Sequence, residues 1–370
     1  MSPAEVGRDD ERYDSIPAQN AWRTAWESNK GAALILISEA FGSSSDAIVR
    51  FLQQGGHGMH PFQVIFARMI TTLLLSGLYM WWTKVPDPFG HPSVRHWLAL
   101  RAVFGFSGLF CLYYSVHYLP LAEATVFRFL VPIVTAWACS VFLGQTFTRK
   151  ELIAGLIALV GVVMIAHPSS IFGSTDDIKT TDIEKVAPAQ RIFAIFTSVL
   201  GVFGAAGAYT TIRVIGNRAH ALVSVSYFAM LGTVGSTVAL LVIPGIGFKM
   251  PHGAREWVLL SLLGIFGFGL QFLLTAGLQL DRSSKATSMM YTQVLFALSF
   301  DWAIWGVLPG GWSLIGGAIV IASTLWSALQ KTQPNAGQIS KAKEADEESA
   351  LLGEQQDGVA EVVRRGSVSA

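Results

Sequence analysis

The sequence predicts an all-α integral membrane protein of ten transmembrane helices, arranged as two inverted five-helix repeats. Three observations lead there. Charged residues are only 14% of the chain and apolar ones 52%, against roughly 25% and 45–50% in soluble domains. Apolar runs near the length that crosses a bilayer, about 20 residues, recur throughout. The two halves of the chain also match each other without a gap, at a constant displacement of 162 residues from Phe41 to Phe203 and onward.

The spans pair off in order through that displacement. Span 1 (31–53) carries Phe41-Gly42, matched by Phe203-Gly204 in span 6 (191–214). Span 2 (61–82) carries Phe66-Ala67, matched by Phe228-Ala229 in span 7 (221–244). Phe104-Gly105-Phe106 of span 3 (97–118) returns as Phe266-Gly267-Phe268 of span 8 (257–280). Ala124-Thr125 of span 4 (121–143) returns as Ala286-Thr287 of span 9 (284–307). Leu152-Ile153 and Gly155 of span 5 (151–167) return as Leu314-Ile315 and Gly317 of span 10 (311–330). Any one match is commonplace in membrane sequences, but one per span in a single register marks an internal duplication. Trp81, Trp82, Trp97, Trp257 and Trp312 fall at span ends, where indole rings anchor the interface.

An odd number of spans per half forces the second half to enter the membrane inverted. Inverted repeats are a mark of secondary transporters, which bind substrate between the halves near the midplane. The expected organisation is an N-terminal tail (1–30), a first repeat (31–167), an inter-repeat loop (168–190), a second repeat (191–330) and a disordered C-terminal tail (331–370). The polar, charged start of the chain predicts no cleavable signal peptide. Lys84, Arg95, Arg149, Lys150, Arg213, Arg218, Arg282 and Lys285 all fall on one side of this topology. The positive-inside rule therefore places both termini in the cytoplasm.

Charges inside the spans are the sharpest functional signal. Glu39, Asp46 and Arg50 share one face of span 1, with Asp46 and Arg50 at the spacing of a one-turn ion pair. Arg68, Arg128 and Asp301 lie in spans 2, 4 and 9. Each costs on the order of 3 kcal/mol facing lipid, so each must turn inward or pair. A structural ion network is the plain reading. Against it, the charges ignore the duplication: Asp46 aligns with Ala208, Arg50 with Ile212, Arg68 with Met230, Arg128 with Met290 and Asp301 with Cys139. Asp46, Arg50, Arg68, Arg128 and Asp301 also fall near one depth, where the three arginines exceed the two aspartates and invite an anion. These five, with Tyr114 and Tyr291 as cavity-lining aromatics, form the expected substrate site, and Glu39 is the candidate for ion or proton coupling.

At this point the chain resembles the drug/metabolite transporter superfamily in its EamA-type branch, over about residues 31–330. The resemblance rests on "RAVFGFSGLFCLYYSVHYLPLAEATVFRFLVPIVTAWACSVFLG" and "MMYTQVLFALSFDWAIWGVLPGGWSLIGGAIVIAS". "YTQVLFALSFDWAIWGVLP" is closest to the eukaryotic solute carrier 35 G-like subgroup. The resemblance implies ten helices, cytoplasmic termini and movement of small metabolites, with Arg128, Asp301 and the Pro132 kink at positions prominent in that subgroup. Gln145 departs from it, standing where many relatives have Glu. The function expected is secondary-active transport of a small metabolite, an organic anion or a nucleotide-linked compound, by alternating access. The rival is a non-transporting membrane adaptor acting through its cytoplasmic tails.

No phosphate loop, His-Glu-x-x-His or metal-ligand cluster is present in the sequence, so neither enzyme activity, nor a metal, nor a cofactor is expected. The net charge of +1 argues against nucleic acid as a partner. The expected partners are the lipid bilayer and a small-molecule substrate, with a homodimer left open. In the C-terminal tail Glu347, Leu351 and Leu352 have the form of an acidic dileucine sorting signal, so the plasma membrane or a vacuolar/endosomal membrane is the expected location.

Overall fold

The computed structural model describes residues 18–54, 59–119, 121–145, 148–166, 188–243, 247–248, 250–251, 253–281, 284–306 and 310–329. Glu347, Leu351 and Leu352 lie outside the described residues. The secondary structure among these residues is helical: α1 (Ala18–Gln54), α2 (Pro61–Trp82), α3 (Arg95–Tyr118), α4 (Leu121–Leu143), α5 (Arg149–Ala166), α6 (Pro188–Ile215), α7 (Ala221–Val242), α8 (Ala254–Leu280), α9 (Ser284–Ser288), α10 (Thr292–Trp305) and α11 (Gly311–Leu329).

Among the described residues, six helical segments are long and apolar enough to cross a membrane, including Asn29–Leu52, Pro61–Trp82 and Ala254–Leu280. The other spans depart from that simple form for visible reasons. Arg95 and Arg101 dilute α3, and α5 opens on Arg149-Lys150-Glu151. Glu151 also accepts a hydrogen bond from the Thr148 amide (2.8 Å) while the Thr148 hydroxyl accepts one from the Glu151 amide (3.3 Å), a reciprocal cap that starts α5.

One expectation about helix limits changes. The first helix is longer than its span: it starts at Ala18, while its membrane-crossing segment, Asn29–Leu52, agrees with the expected 31–53. At 1.5 Å per residue its 37 residues extend well beyond a hydrocarbon core of about 30 Å. Span 9 is not one helix: a 3-10 turn over Met289–Tyr291 separates α9 from α10. The Thr292 hydroxyl donates to the Met289 carbonyl (2.6 Å), an i−3 bond that fits this tighter winding.

The halves are intertwined rather than laid side by side. The strongest packing of α1 is on α8 and of α6 on α3, so each half gives its first helix to the other. The remaining major interfaces also occur as exchange partners: α2 on α8 with α7 on α3, and α1 on α10 with α6 on α4. The interfaces α2–α7 and α5–α11 map onto themselves. This set is unchanged when the halves are swapped, as a pseudo-two-fold arrangement requires. It defines two packed groups: α3, α4, α5, α6 and α7 form one, and α1, α2, α8, α9, α10 and α11 the other.

Glycines permit the closest crossings. A methyl added to Gly108 would stand 2.6 Å from the Ala205 amide nitrogen, and one on Gly204 would stand 2.7 Å from the Gly108 nitrogen. Where α5 crosses α11, a methyl on Gly161 would stand 2.7 Å from the Gly316 carbonyl oxygen. Outward-facing Leu74, Phe142, Phe196 and Leu241 are exposed, as a lipid-contacting surface requires. Gly108→Ala should cost about 1–3 kcal/mol through forced backbone separation, seen as a lower melting temperature in detergent. Gly77→Ala, where a methyl meets open space, should leave melting unchanged or slightly raised.

Candidate functional site

The two ends of the bundle differ. At the end where α3 and α7 begin and α6 and α8 finish, the groups are sealed together. Ile35, Ile212 and Leu278 are wholly buried there in one apolar cluster with Leu274, Ala286 and Met290, drawn from both groups. Polar clamps ring this plug. Gln279 Nε2 donates to the Ala219 carbonyl (3.2 Å), and Arg213, buried near the end of α6, donates to Gln145 Oε1 and to Thr287 Oγ1 (both 3.2 Å). Gln145 thus offers the arginine a neutral amide acceptor, where a Glu would form an ion pair.

Toward the opposite end the groups meet through half-exposed charge. Arg128 Nη1 of α4 donates to Asp46 Oδ2 of α1 (3.2 Å), with both side chains almost half exposed. Gln293 Nε2 at the start of α10 donates to the same oxygen (3.0 Å). Pro132 has no N–H to give the carbonyl of Arg128, so the α4 ladder is interrupted one turn from this pair. Arg50 Nη1 donates to Asp301 Oδ1 (2.6 Å), joining α1 to α10. Its guanidinium also lies 4.3 Å from the centre of the Trp305 ring, which stacks on Phe51.

Asp46 and Arg50 therefore do not pair with each other as their spacing suggests. Each is drawn to a partner on another helix, Asp46 to Arg128 and Arg50 to Asp301, so both contacts tie α1 to its neighbours. Asp46 gains Gln293 as well.

Deeper toward the sealed end lie Glu39 and Arg101, both buried. Glu39 is within electrostatic reach of Arg128 and Asp46, and Tyr209 of α6 within reach of Glu39, Arg128, Arg101 and Arg68. Tyr209 thus lies within electrostatic reach of one carboxyl and three guanidinium groups drawn from both packed groups. Arg101 Nη2 donates to Gln271 Oε1 of α8 (3.0 Å), and its guanidinium lies 4.4 Å from the centre of the Phe228 ring.

Besides the separate Arg50–Asp301 pair, two more expected site residues, Tyr291 and Tyr114, lie apart from these groups. Tyr291 is buried in an apolar cluster, stacked 6.1 Å from Phe129, with its hydroxyl toward Gly155 of α5. Tyr114 meets Phe193 edge-on (5.9 Å) at the half-exposed rim of α6. Sequence reasoning missed Arg101, Arg213, Tyr209 and Gln271. The first had a signal: Arg101 shares a helix face with Gly105 and Gly108, one and two turns on.

A duplicated helical frame with charges gathered between its groups defines a multi-pass membrane transporter. The sequence profile of the EamA-like transporter family matches residues 29–167 and 192–329, and the chain belongs to that family. A probable transport protein of Saccharomyces cerevisiae is 36% identical over 80% of this chain and 88% of its own length. Mouse solute carrier family 35 member G1 is 26% identical over 74% of this chain and 72% of that protein. A solved crystal structure shares the fold with a TM-score of 0.65 at 14% identity, covering 82% of this chain and 96% of the other.

The Arg50–Asp301 pair is almost half exposed, 46% and 41%, which limits its contribution to folding. A double-mutant cycle with Arg50→Ala and Asp301→Ala, read by unfolding in detergent, should give a coupling below about 1 kcal/mol, as for exposed ion pairs elsewhere.

Proposed function

We propose that the protein is a secondary-active carrier of a small organic anion that works by alternating access, with its site between the two packed groups. The supporting observation is the contrast between the ends. One is closed by an apolar plug built from both groups, while the other is bridged by the half-exposed Asp46–Arg128 pair. Rocking the groups about α2–α7 and α5–α11 would part the plug and close the polar end, exposing the same central charges to the other side. The sealed end faces the cytoplasm in this reading, following the distribution of Lys and Arg. Both termini then lie there.

Asp46, Arg50, Arg68, Arg128 and Asp301 shape the field of the site, and its net positive balance favours an anion over a cation. Glu39 is the coupling group. The titratable and charged groups near it are Asp46 on its own helix, Arg128 on α4 and Tyr209 on α6. Between Glu256 and Asp281 the adjacent α8 carries no titratable residue, and α10 offers only Asp301.

The test is uptake by proteoliposomes of labelled organic anions and nucleotide-linked metabolites. Arg128→Ala and Asp46→Asn should each lower the initial rate by about tenfold or more, the loss expected when a transition-state or binding contact is removed. Folded variants that carry substrate like the parent remove the site. A parent that moves no compound favours the adaptor reading instead.

A further inference from the structure

The ion pairs at the half-exposed end leave two arginines unaccounted for, the buried Arg101 and the partly buried Arg68. Among the described residues neither Arg68 nor Arg101 has a carboxylate within ion-pairing distance. Arg101 is 2% exposed, and its Nε and Nη1 find no hydrogen-bond partner. Gln271 satisfies one of its five N–H donors and the Phe228 ring covers the guanidinium. Arg68 Nε is likewise buried without a partner. A guanidinium stays charged at any physiological pH, so deprotonation cannot relieve either residue.

Their placement follows the duplication even though their sequence positions do not. Gly105 and Gly267 are the central residues of the two matched Phe-Gly-Phe motifs. A methyl on Gly267 would stand 2.8 Å from Arg68 Nε. A methyl on Gly105 would stand 2.9 Å from the Phe228 ring beneath Arg101, and 3.6 Å from Arg101 Nη1. Each half thus leaves, at its equivalent glycine, the space that one arginine system fills. Arg68 belongs to the group containing α2 and α8, and Arg101 to the group containing α3 and α6. Both lie within electrostatic reach of Tyr209.

We propose that Arg68 and Arg101 form the anion seat of this carrier, and that its substrate is a small organic molecule with two anionic groups, a dicarboxylate by chemistry, one group held by each arginine. The inference rests on the transport reading and narrows its substrate class. Arg128 and Arg50 already hold aspartates and do not supply the seat. The planar forks of Arg68 and Arg101 each match a carboxylate. Because the arginines stand on opposite packed groups, such a substrate bridges the moving parts, whereas a monoanion engages only one of them.

The experiment measures binding to the purified full-length protein by thermal shift and equilibrium dialysis. The probes are linear dicarboxylates from oxalate to adipate, with butyrate as monoanion and putrescine as dication. At least one dicarboxylate should bind about tenfold or more tightly than butyrate, and Arg101→Gln and Arg68→Gln should each erase most of that preference. Arg101→Lys, which keeps the charge without the fork, should restore it only in part. Should Arg101→Gln fail to fold, Gly267→Ala crowds Arg68 from a neighbouring helix and should weaken dicarboxylate more than butyrate. The proposal is overturned if butyrate or putrescine binds best, if no dicarboxylate binds, or if a folded Arg101→Gln protein keeps the preference. Transport of a monoanion by the parent would then leave the carrier reading standing without this seat.

Discussion

The structure depends on the cost of placing charge in hydrocarbon. A guanidinium or carboxylate facing lipid is penalised heavily, so an ionised side chain within the spans has to turn between helices, toward a partner or a bound ligand. That requirement explains why α1 is held between α8 and α10 on one side and α4 on the other. Its Asp46 and Arg50 are satisfied only there, by Arg128, Gln293 and Asp301. The helices supply the frame and the charges select how its parts face each other.

The duplication solves a second problem, which is how a pathway can be built from parts that move. Interfaces that exchange under the two-fold give each group the same internal packing, with α1 on α8 echoing α6 on α3. Beyond the broad α2–α7 and α5–α11 interfaces, the two ends where the groups meet differ: an apolar cluster around Ile35 and Ile212 at one, a half-exposed ion pair at the other. A half-exposed ion pair can be broken and remade at less cost than an apolar cluster, which holds until burial is lost over many atoms together.

Much of the frame was legible in the sequence, because hydropathy and small-residue repeats are local properties. The five matched pairs from Phe41-Gly42 to Gly155 place every helix in its half, and the description as an all-α membrane fold of this family follows. The pairing of charges was not legible. The helix face that puts Asp46 and Arg50 together is real, yet Arg50 is claimed by a residue 251 positions away. Arg101 was overlooked because apolar neighbours hide a single charge in any windowed reading. The break at Met289–Tyr291 escaped notice because its residues are as apolar as the helix they interrupt.

The exchange of first helices also dictates an order of assembly. Gly31 of α1 settles against Gly277 and Asp281 at the far end of α8, so the earliest helix made has to wait for most of the chain before it finds its seat. Until α8 and α10 leave the ribosome, α1 waits in the membrane with Arg50 still lacking Asp301. Neither half is a folding unit by itself, and a chain cut short before α10 leaves a charged helix for quality control to find. An ancestral single repeat would have met the same need by trading first helices between two copies of opposite orientation.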